Sequence, residues 1–303
     1  MKPLTLVTLV LTFVVVVVGA YVRLSDAGLG CPDWPLCYGR PIPGEMEDAR
    51  AWQEMGHRYL AGTLGILVFI LAWVAWRTRQ SPWLAAAIAA LEVFQATLGK
   101  WTVTMLLKPA IVTAHLLGGM ALLALLVWFS LERLSYVRAP EARLLRLPAF
   151  LGLAALAVQI ALGGWVSANY AALACPDLPS CLGQAVPPMD FGNAFHVLRE
   201  LGRTDAGELL PRAALTAIHW SHRVFALVVV LVVGWAARRT MKTLPRIGAA
   251  IALLLLLQFA LGIANVALGL PLALAAAHNA GAALLLMSLV VLNFFAFRGL
   301  RPS

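Results

Sequence analysis

Apolar residues along this chain fall in eight long blocks separated by short polar segments, rather than in the narrow stripes of a soluble helical protein. Each block holds about 20 mostly apolar residues, the length that an α-helix needs to cross about 30 Å of hydrocarbon. The pattern therefore predicts an all-α integral membrane protein with eight transmembrane helices. The predicted spans are Leu4–Val22, Glu54–Trp76, Pro82–Trp101, Ala110–Leu131, Leu147–Ala168, Ala213–Ala237, Leu244–Leu268 and Leu272–Phe297.

The composition supports this prediction, because 61% of the residues are hydrophobic and only 12% are charged. A soluble domain is about half apolar and about a quarter charged. A cleaved signal peptide is the alternative interpretation of the first block. That block is long, however, and the residues from Gly19 to Arg23 do not form a small-residue cleavage site. We therefore interpret it as the first transmembrane helix.

The net charge of +9 is better explained by membrane topology than by nucleic-acid binding. With a cytoplasmic N-terminus, 13 of the 23 Lys and Arg residues lie in the short cytoplasmic segments and 8 lie in the longer outer segments. The positive-inside rule then predicts that both termini are cytoplasmic and that the two long loops lie on the outer side. We expect a multi-pass protein of the inner (plasma) membrane.

The second half of the chain repeats the first, because three segments recur in the same order. They are Cys31–Cys37 and Cys175–Cys181, His57-Arg58 and His222-Arg223, and Ala114-His115 and Ala277-His278. Each half has an even number of helices, so both halves insert in the same orientation, related by an axis along the membrane normal. We predict two pseudo-symmetric four-helix bundles. They comprise residues 1–131 and 147–303, and a cytoplasmic linker, residues 132–146, joins them.

All four cysteines lie in the two outer loops, where each pair forms a C-x5-C segment with Pro and Asp between. The outer side is oxidising and the prolines favour a tight turn, so the spacing favours one disulfide in each loop. The pairs are Cys31 with Cys37 and Cys175 with Cys181. Two roles stay open: a structural link within the loop, or a redox-active or haem-handling dithiol.

Four histidines lie within about ten residues of the start of helices that run inward from the outer side. They are His57, His115, His222 and His278. Ionisable residues within a span are costly and are functional candidates. Two facing imidazoles in a helix bundle form a bis-histidine site for a haem iron. We therefore predict one haem site in each half.

His196 lies in a polar outer loop, where we expect a solvated residue.

The residues beside these histidines carry charge, and they differ between the halves. Arg58 and Arg223 need an anion at that depth or must extend to the interface, so haem propionates and lipid phosphate are both open as partners. Glu54 lies three residues before the first histidine, where the second half has His219. A carboxylate beside one haem suits proton transfer, so we predict that the first half carries out the chemistry. An interfacial acid and a structural histidine are the alternatives. Glutamines in Q-x-x-L-G segments at Gln95, Gln159 and Gln258 are assigned to helix packing, and hydrogen bonds across the bundle are the alternative.

These motifs resemble those of the haem A synthase family, in particular its bacterial members with paired loop cysteines. The matching stretches cover nearly the whole chain in order. They are Gly19–Leu24, Gly28–Cys37, Glu54–Arg58, the His115 segment, Ile218–Arg223 and Ala277–Asn279. The resemblance implies an oxidoreductase that oxidises a ring methyl group of haem O to a formyl group, giving haem A for terminal oxidases.

The resemblance also implies which histidines hold which haem. The axial ligands of a haem b cofactor map onto His222 and His278, and the substrate haem maps onto His57 and His115 in the N-terminal half. His219 is a secondary candidate as a ligand. We choose His222, because it keeps the His-Arg register with the first half.

The remaining implied roles concern the outer side. Glu54 matches the acid that is essential in the family, and Cys31 and Cys37 match loop cysteines linked to activity. Arg58 and Arg223 are then expected to bind propionates.

Implied partners are haem O, membrane lipid, haem O synthase, oxidase assembly factors and an unknown electron acceptor, but no nucleic acid. Two rival classes also fit the histidine pairs, namely a diheme b-type electron-transfer cytochrome and a haem carrier. The cysteine loops and the Glu54 asymmetry favour the enzyme.

Overall fold

The computed structural model describes residues 1–44 and 48–302, and this part of the chain contains eight helices long and apolar enough to cross a membrane. A ninth, short helix lies in the second long loop. The helices are α1 (Lys2–Leu24), α2 (Ala49–Arg77), α3 (Pro82–Thr104), α4 (Pro109–Leu131), α5 (Arg146–Ala168), α6 (Phe191–Ala194), α7 (Arg212–Met241), α8 (Pro245–Ala267) and α9 (Leu272–Arg298). The prediction of an all-α integral membrane protein with eight spans is confirmed.

The start of α2 differs most from its predicted position and matters for the site. The helix begins at Ala49, because the Asp48 carboxylate caps it by accepting a hydrogen bond from the N–H of Arg50 (3.2 Å). Glu54 therefore lies inside the helix rather than at its first residue. Three other helices, α3, α4 and α8, begin at a proline. Proline is favourable there because its missing N–H would have no helical partner.

The four long helices of each half contact one another in a ring. In the first half α1 and α3 each contact both α2 and α4, and in the second half α5 and α8 each contact both α7 and α9. The halves meet where α4 packs against α5 and α9, and where α1 packs against α9. These contacts are those expected of two four-helix bundles side by side. The pseudo-symmetry between them stays a prediction.

The two long loops lie at one end of the helices, which we call the loop face. Arg23 near the end of α1 donates a hydrogen bond to the carbonyl oxygen of Ser167 near the end of α5 (2.6 Å). The two loops follow these helix ends, so they begin next to each other at the loop face.

The opposite end carries the N-terminal start of α1, the end of α9 and the segment that joins the halves. Arg298 in α9 forms an ion pair there with Glu132 (2.6 Å). The linker predicted at residues 132–146 contains ordered structure. Strand β1 (Tyr136–Arg138) pairs antiparallel with β2 (Leu300–Pro302), and a 3-10 turn (Pro140–Leu145) leads into α5.

Candidate functional site

The first disulfide closes a small loop directly above the helices. Cys31 and Cys37 are bonded, their Cα atoms lie 4.8 Å apart, and both residues are fully buried. The Asp33 carboxylate accepts hydrogen bonds from the N–H groups of Tyr38 (2.7 Å) and Gly39 (2.8 Å), which both have positive φ. The hydrogen bond from Gly39 is the main reason that the pKa of Asp33 is held below its usual range. Asp33 thus stabilises the turn that closes the loop.

The second disulfide loop is built in the same way. Cys175 and Cys181 are bonded with their Cα atoms 4.7 Å apart. The Asp177 carboxylate accepts hydrogen bonds from the hydroxyl group of Ser180 and from the N–H groups of the two residues after Cys181 (2.7 and 2.9 Å). These bonds, that of Ser180 first, lower the pKa of Asp177 to about 2. Both predicted disulfides are confirmed, and their burial is what a structural link requires. A redox role stays a hypothesis.

Glu54 and Arg58 hold the first loop from below, one turn apart on the same face of α2. One oxygen of Glu54 accepts a hydrogen bond from the N–H of Cys31 (2.8 Å), and the other pairs with Arg58 (2.5 Å). Arg58 also donates to the carbonyl oxygens of Asp33 (2.9 Å) and Leu36 (2.6 Å). Glu54 is only 4% exposed. These contacts describe a buried ion pair inside a helix, rather than an acid that caps the helix start.

His219 and Arg223 occupy the same places beneath the second loop. The N–H of Cys175 lies 3.2 Å from Nδ1 of His219, and Nε of Arg223 lies 3.1 Å from Nε2. A neutral imidazole has one acceptor nitrogen, so only one of these contacts can be a hydrogen bond. Arg223 also donates to the carbonyl oxygens of Asp177 (2.8 Å) and Ser180 (3.1 Å). These loop positions correspond to the two that the arginine of the first half binds.

Each of the four histidines predicted to bind haem packs its ring against a glycine of a neighbouring helix. A Cβ atom added to the glycine would meet Cε1 of the ring in every case. The pairs are Gly19 with His57 (2.9 Å), Gly163 with His222 (3.0 Å), Gly262 with His278 (3.3 Å) and Gly99 with His115 (3.5 Å). The missing side chains let the helices approach the rings closely, and this contact restricts how each ring can turn.

The ring nitrogens of these histidines have few partners in the protein. The Nδ1 atoms of His57, His115 and His278 are buried without a hydrogen-bond partner among residues 1–44 and 48–302. Nδ1 of His222 differs, because Nε2 of Gln159 lies 3.1 Å from it. These Nδ1 atoms are covered by protein, so Nε2 is the nitrogen left for a ligand. Nε2 of His57 and of His115 has no partner in the described chain, and a neutral imidazole nitrogen is a common metal ligand. The residues present therefore fit the axial ligation of haem iron.

Two of the three glutamines assigned to helix packing contact these rings instead. Gln159 lies beside His222, and Nε2 of Gln258 lies 3.3 Å from Nε2 of His278. Gln95 in the first half has no partner for its Nε2 atom among the described residues. Spacing along one helix cannot show which neighbouring helix a side chain meets, so the sequence did not predict these contacts.

A cavity of about 1320 Å³ reaches all four haem-binding candidates and extends across both halves. Glu54, Arg58, His219 and Arg223 also line it. A pocket for a single small ligand is usually about 300–1,000 Å³, so this volume suits more than one ligand. The two arginines line the cavity while they hold the loop carbonyls, an arrangement that the sequence did not predict.

His196 is the one histidine of the described chain outside this arrangement. Its Nδ1 atom lies 3.6 Å from a carboxylate oxygen of Asp205 in the second long loop, and its side chain is about one-third exposed. It does not line the cavity. This position agrees with a loop residue in contact with solvent.

Fold and site together define a class: an eight-helix membrane protein with paired histidines around an internal cavity, closed on one face by two disulfide loops. Residues 2–290 match the COX15-CtaA family, described as Cytochrome oxidase assembly protein. The chain belongs to this family.

Individual relatives match over nearly their whole length. A protein of Shewanella oneidensis named Heme A synthase is 41% identical, over 95% of this chain and 94% of the relative. Proteins with the same name from Rhizorhabdus wittichii and a Caulobacter species are each 29% identical. Those two matches cover 94% and 98% of this chain, and 90% and 95% of the relatives. The resemblance predicted from the motifs is confirmed.

Proposed function

We propose that this protein is an oxidoreductase that converts haem O into haem A, by oxidising a ring methyl group to a formyl group. The relative of 41% identity, matched over 95% of the chain, supports the activity. The cavity with two pairs of histidines supports the need to hold a substrate haem and a second haem. Haem A made in this way serves terminal oxidases, in agreement with the family description.

We assign a haem b cofactor to the C-terminal half, with His222 and His278 as its axial ligands. The ring of His222 packs on Gly163 and has Gln159 beside Nδ1. His219 is less suited to ligation, because its Nδ1 atom faces the N–H of Cys175 and its Nε2 atom faces Nε of Arg223. When bound, a haem b supplies one-electron transfer.

We assign the substrate haem to the N-terminal half, between His57 and His115. The observation that carries this assignment is the difference beneath two otherwise similar loops. The first half has the carboxylate of Glu54 at the position where the second half has His219. Oxidation of a methyl group removes hydrogen from carbon, so a proton acceptor is needed beside the substrate and not beside the cofactor.

The surrounding residues prepare Glu54 for this role. Burial of Glu54 disfavours its charged form and so strengthens its affinity for a proton, while Arg58 and the N–H of Cys31 oppose burial by stabilising the ionised carboxylate. The disulfide loop covers the carboxylate and limits the access of water from the loop face. Arg58 and Arg223 lie where they could also bind haem propionates, and we include that role in the proposal.

The proposed setting is the inner membrane, with the loop face outward and both termini in the cytoplasm. Proposed partners are haem O synthase, oxidase assembly factors and an electron acceptor.

Replacing Glu54 tests the function. Glu54→Gln keeps an acceptor for the N–H of Cys31 but cannot take up a proton at that oxygen. We expect haem A formation to fall by about 100-fold or more, with haem b still bound. Glu54→Ala should behave similarly. Normal haem A yield from either variant would contradict the assigned role.

Pigment extraction after heterologous expression separates the rival classes. Haem A together with haem b supports the proposal. Haem b alone with reversible quinone-linked reduction indicates an electron-transfer cytochrome, and uptake and release of unmodified haem indicates a carrier.

A further inference from the structure

Glu92 is a second carboxyl group in the first half, and the function proposed above does not use it. It lies near the middle of α3, lines the cavity and is 8% exposed. No hydrogen bond or ion pair joins it to any residue that the structure describes. A carboxylate buried without a cation is costly, so the group is expected as the neutral acid. The neutral acid can both donate and accept a hydrogen bond.

Gln95 lies one helical turn from Glu92, on the same face of α3. It is 7% exposed, and its Nε2 atom is buried without a partner in the described chain. Nε2 of Gln95 packs against Gly118 of α4, so Glu92 is the unpartnered group on this wall that a ligand in the cavity can reach. Buried polar groups normally have partners, so Glu92 indicates a ligand that carries a polar group of its own.

Two glycines of α2 line the cavity near Glu92: Gly65 lets the carboxyl group approach closely, and Gly62 leaves open space. A Cβ atom added to Gly65 would lie 3.5 Å from Oε1 of Glu92, and one added to Gly62 would meet nothing within 4 Å. Both glycines line the cavity. We call Gly62, Gly65, Glu92 and Gln95 the deep pocket.

The second half lacks this pocket, although it repeats the same helices. In the register that aligns the histidines, Leu227 and Val230 stand in place of the two glycines, and Leu255 stands in place of Glu92. The equivalent region therefore lacks a carboxyl group and has larger side chains on α7, although Gln258 stands in place of Gln95 and its Oε1 atom also has no partner in the described chain. What distinguishes the first half at this depth is the carboxyl group of Glu92 beside two glycines.

The position of the deep pocket along α3 relates it to the substrate site. Gly99 of α3 contacts His115. Gln95 and Glu92 lie four and seven residues farther from the loop face, which is about 6 and about 10 Å along an α-helix. A porphyrin held at His115 with its propionates toward Arg58 presents its opposite edge to this pocket. In haem O that edge carries a hydroxyl group and a long isoprenoid chain, where haem b has a vinyl group.

We propose that the deep pocket recognises the hydroxyl-bearing isoprenoid substituent of haem O. Glu92 hydrogen-bonds the hydroxyl group, and the open space at Gly62 leaves room for the chain. This inference rests on the proposed function and deepens it, because it explains how the first half selects the substrate over haem b.

Binding measurements on the detergent-purified protein, loaded with the haem b that the proposed function assigns to the second half, test the proposal. Haem O or additional haem b is titrated, and the Soret band reports occupancy. Glu92→Leu, which copies the second half, should weaken haem O binding by about fivefold to tenfold and leave haem b binding unchanged. Glu92→Gln keeps a hydrogen-bonding group and should stay within about twofold of the wild type. Gly65→Val should also weaken binding of haem O alone.

Phe94→Leu provides the matched control, since Phe94 is 50% exposed on the other side of α3 and should not affect either haem. Equal weakening of both haems in Glu92→Leu, or no weakening, overturns the proposal. So does normal haem O binding with slowed turnover, which would make Glu92 a proton carrier. Failure of the proposed function is seen separately, as a wild-type protein that binds haem O selectively but never yields haem A.

Discussion

At the residue scale, a single missing Cβ atom lets the ring of a proposed metal ligand, His222, pack closely against a neighbouring helix. The ring of His222 lies so close to Gly163 that an added Cβ would approach Cε1 to 3.0 Å. That distance is shorter than an ordinary van der Waals contact, and the backbone of α5 cannot move away easily. The ring would therefore have to rotate. A rotation of about 30° from a preferred rotamer costs about 0.5–1.5 kcal/mol.

Gly163→Ala should consequently weaken retention of haem in the second half. A cost of about 1 kcal/mol corresponds to about fivefold in affinity. The measurement is haem b content per protein after purification, together with the Soret spectrum. Gly56→Ala is the control, because an added Cβ there meets nothing within 4 Å. Unchanged haem content in Gly163→Ala would show that this contact does not position the ring.

Some candidate residues could be singled out from the sequence because their type alone is informative inside a membrane. Paired histidines and the acid Glu54 stand out against an apolar background, and the repeat aligned them. The roles of Glu92 and Gln159 were not predictable. Their significance depends on what faces them from another helix, such as the space at Gly65 or the ring of His222.

At the element scale, each disulfide loop is fixed from two directions. Within each loop an aspartate, Asp33 or Asp177, accepts hydrogen bonds from backbone N–H groups of the turn. From the helix beneath, Arg58 or Arg223 donates hydrogen bonds to carbonyl oxygens of the loop. The C-x5-C spacing predicted the disulfides, because the two cysteines lie close in sequence. It could not predict the arginine contacts, which join α2 or α7 to residues more than 20 positions away.

The lowered pKa of Asp177 predicts that the second loop opens in acid. Its folded pKa of about 2 lies below the ordinary value of 3.8, so its stabilising effect is complete above pH 3.8 and is lost as the pH falls toward 2. Reduction of Cys175–Cys181 by a phosphine should accelerate across this window. Asp177→Asn should remove the acceleration and raise the rate at pH 5 by about threefold or more. Mass spectrometry of alkylated peptides measures both disulfides.

Cys31–Cys37 is the internal control, since its loop has its own aspartate and should respond to acid in the Asp177→Asn variant as in the wild type. An unchanged pH dependence at Cys175–Cys181 in this variant would show that another group controls opening of the loop.

At the scale of the whole molecule, a duplicated framework carries unequal sites. Eight spans could be predicted because hydrocarbon demands long apolar helices with internally satisfied backbones. The contacts between the halves could not be predicted from the sequence, because they depend on side chains spread over α1, α4, α5 and α9. The two halves differ at a few equivalent positions that line the cavity: Glu54 corresponds to His219, and Glu92 corresponds to Leu255. On the proposed function, the repeat supplies two haem sites, and local substitutions distinguish them.

The orientation of the molecule is the remaining prediction at this scale. Lys and Arg are concentrated in the segments at the end opposite the loop face, which predicts that this end is cytoplasmic. Alkaline phosphatase, which is active only outside the cytoplasm, should be inactive when fused to the C-terminus and active when inserted at Gly202 in the second long loop. A fluorescent protein that folds only in the cytoplasm should give the opposite pattern at the same two sites. An active phosphatase at the C-terminus would reverse the topology, and it would place the disulfide loops in a reducing compartment where such bonds rarely persist.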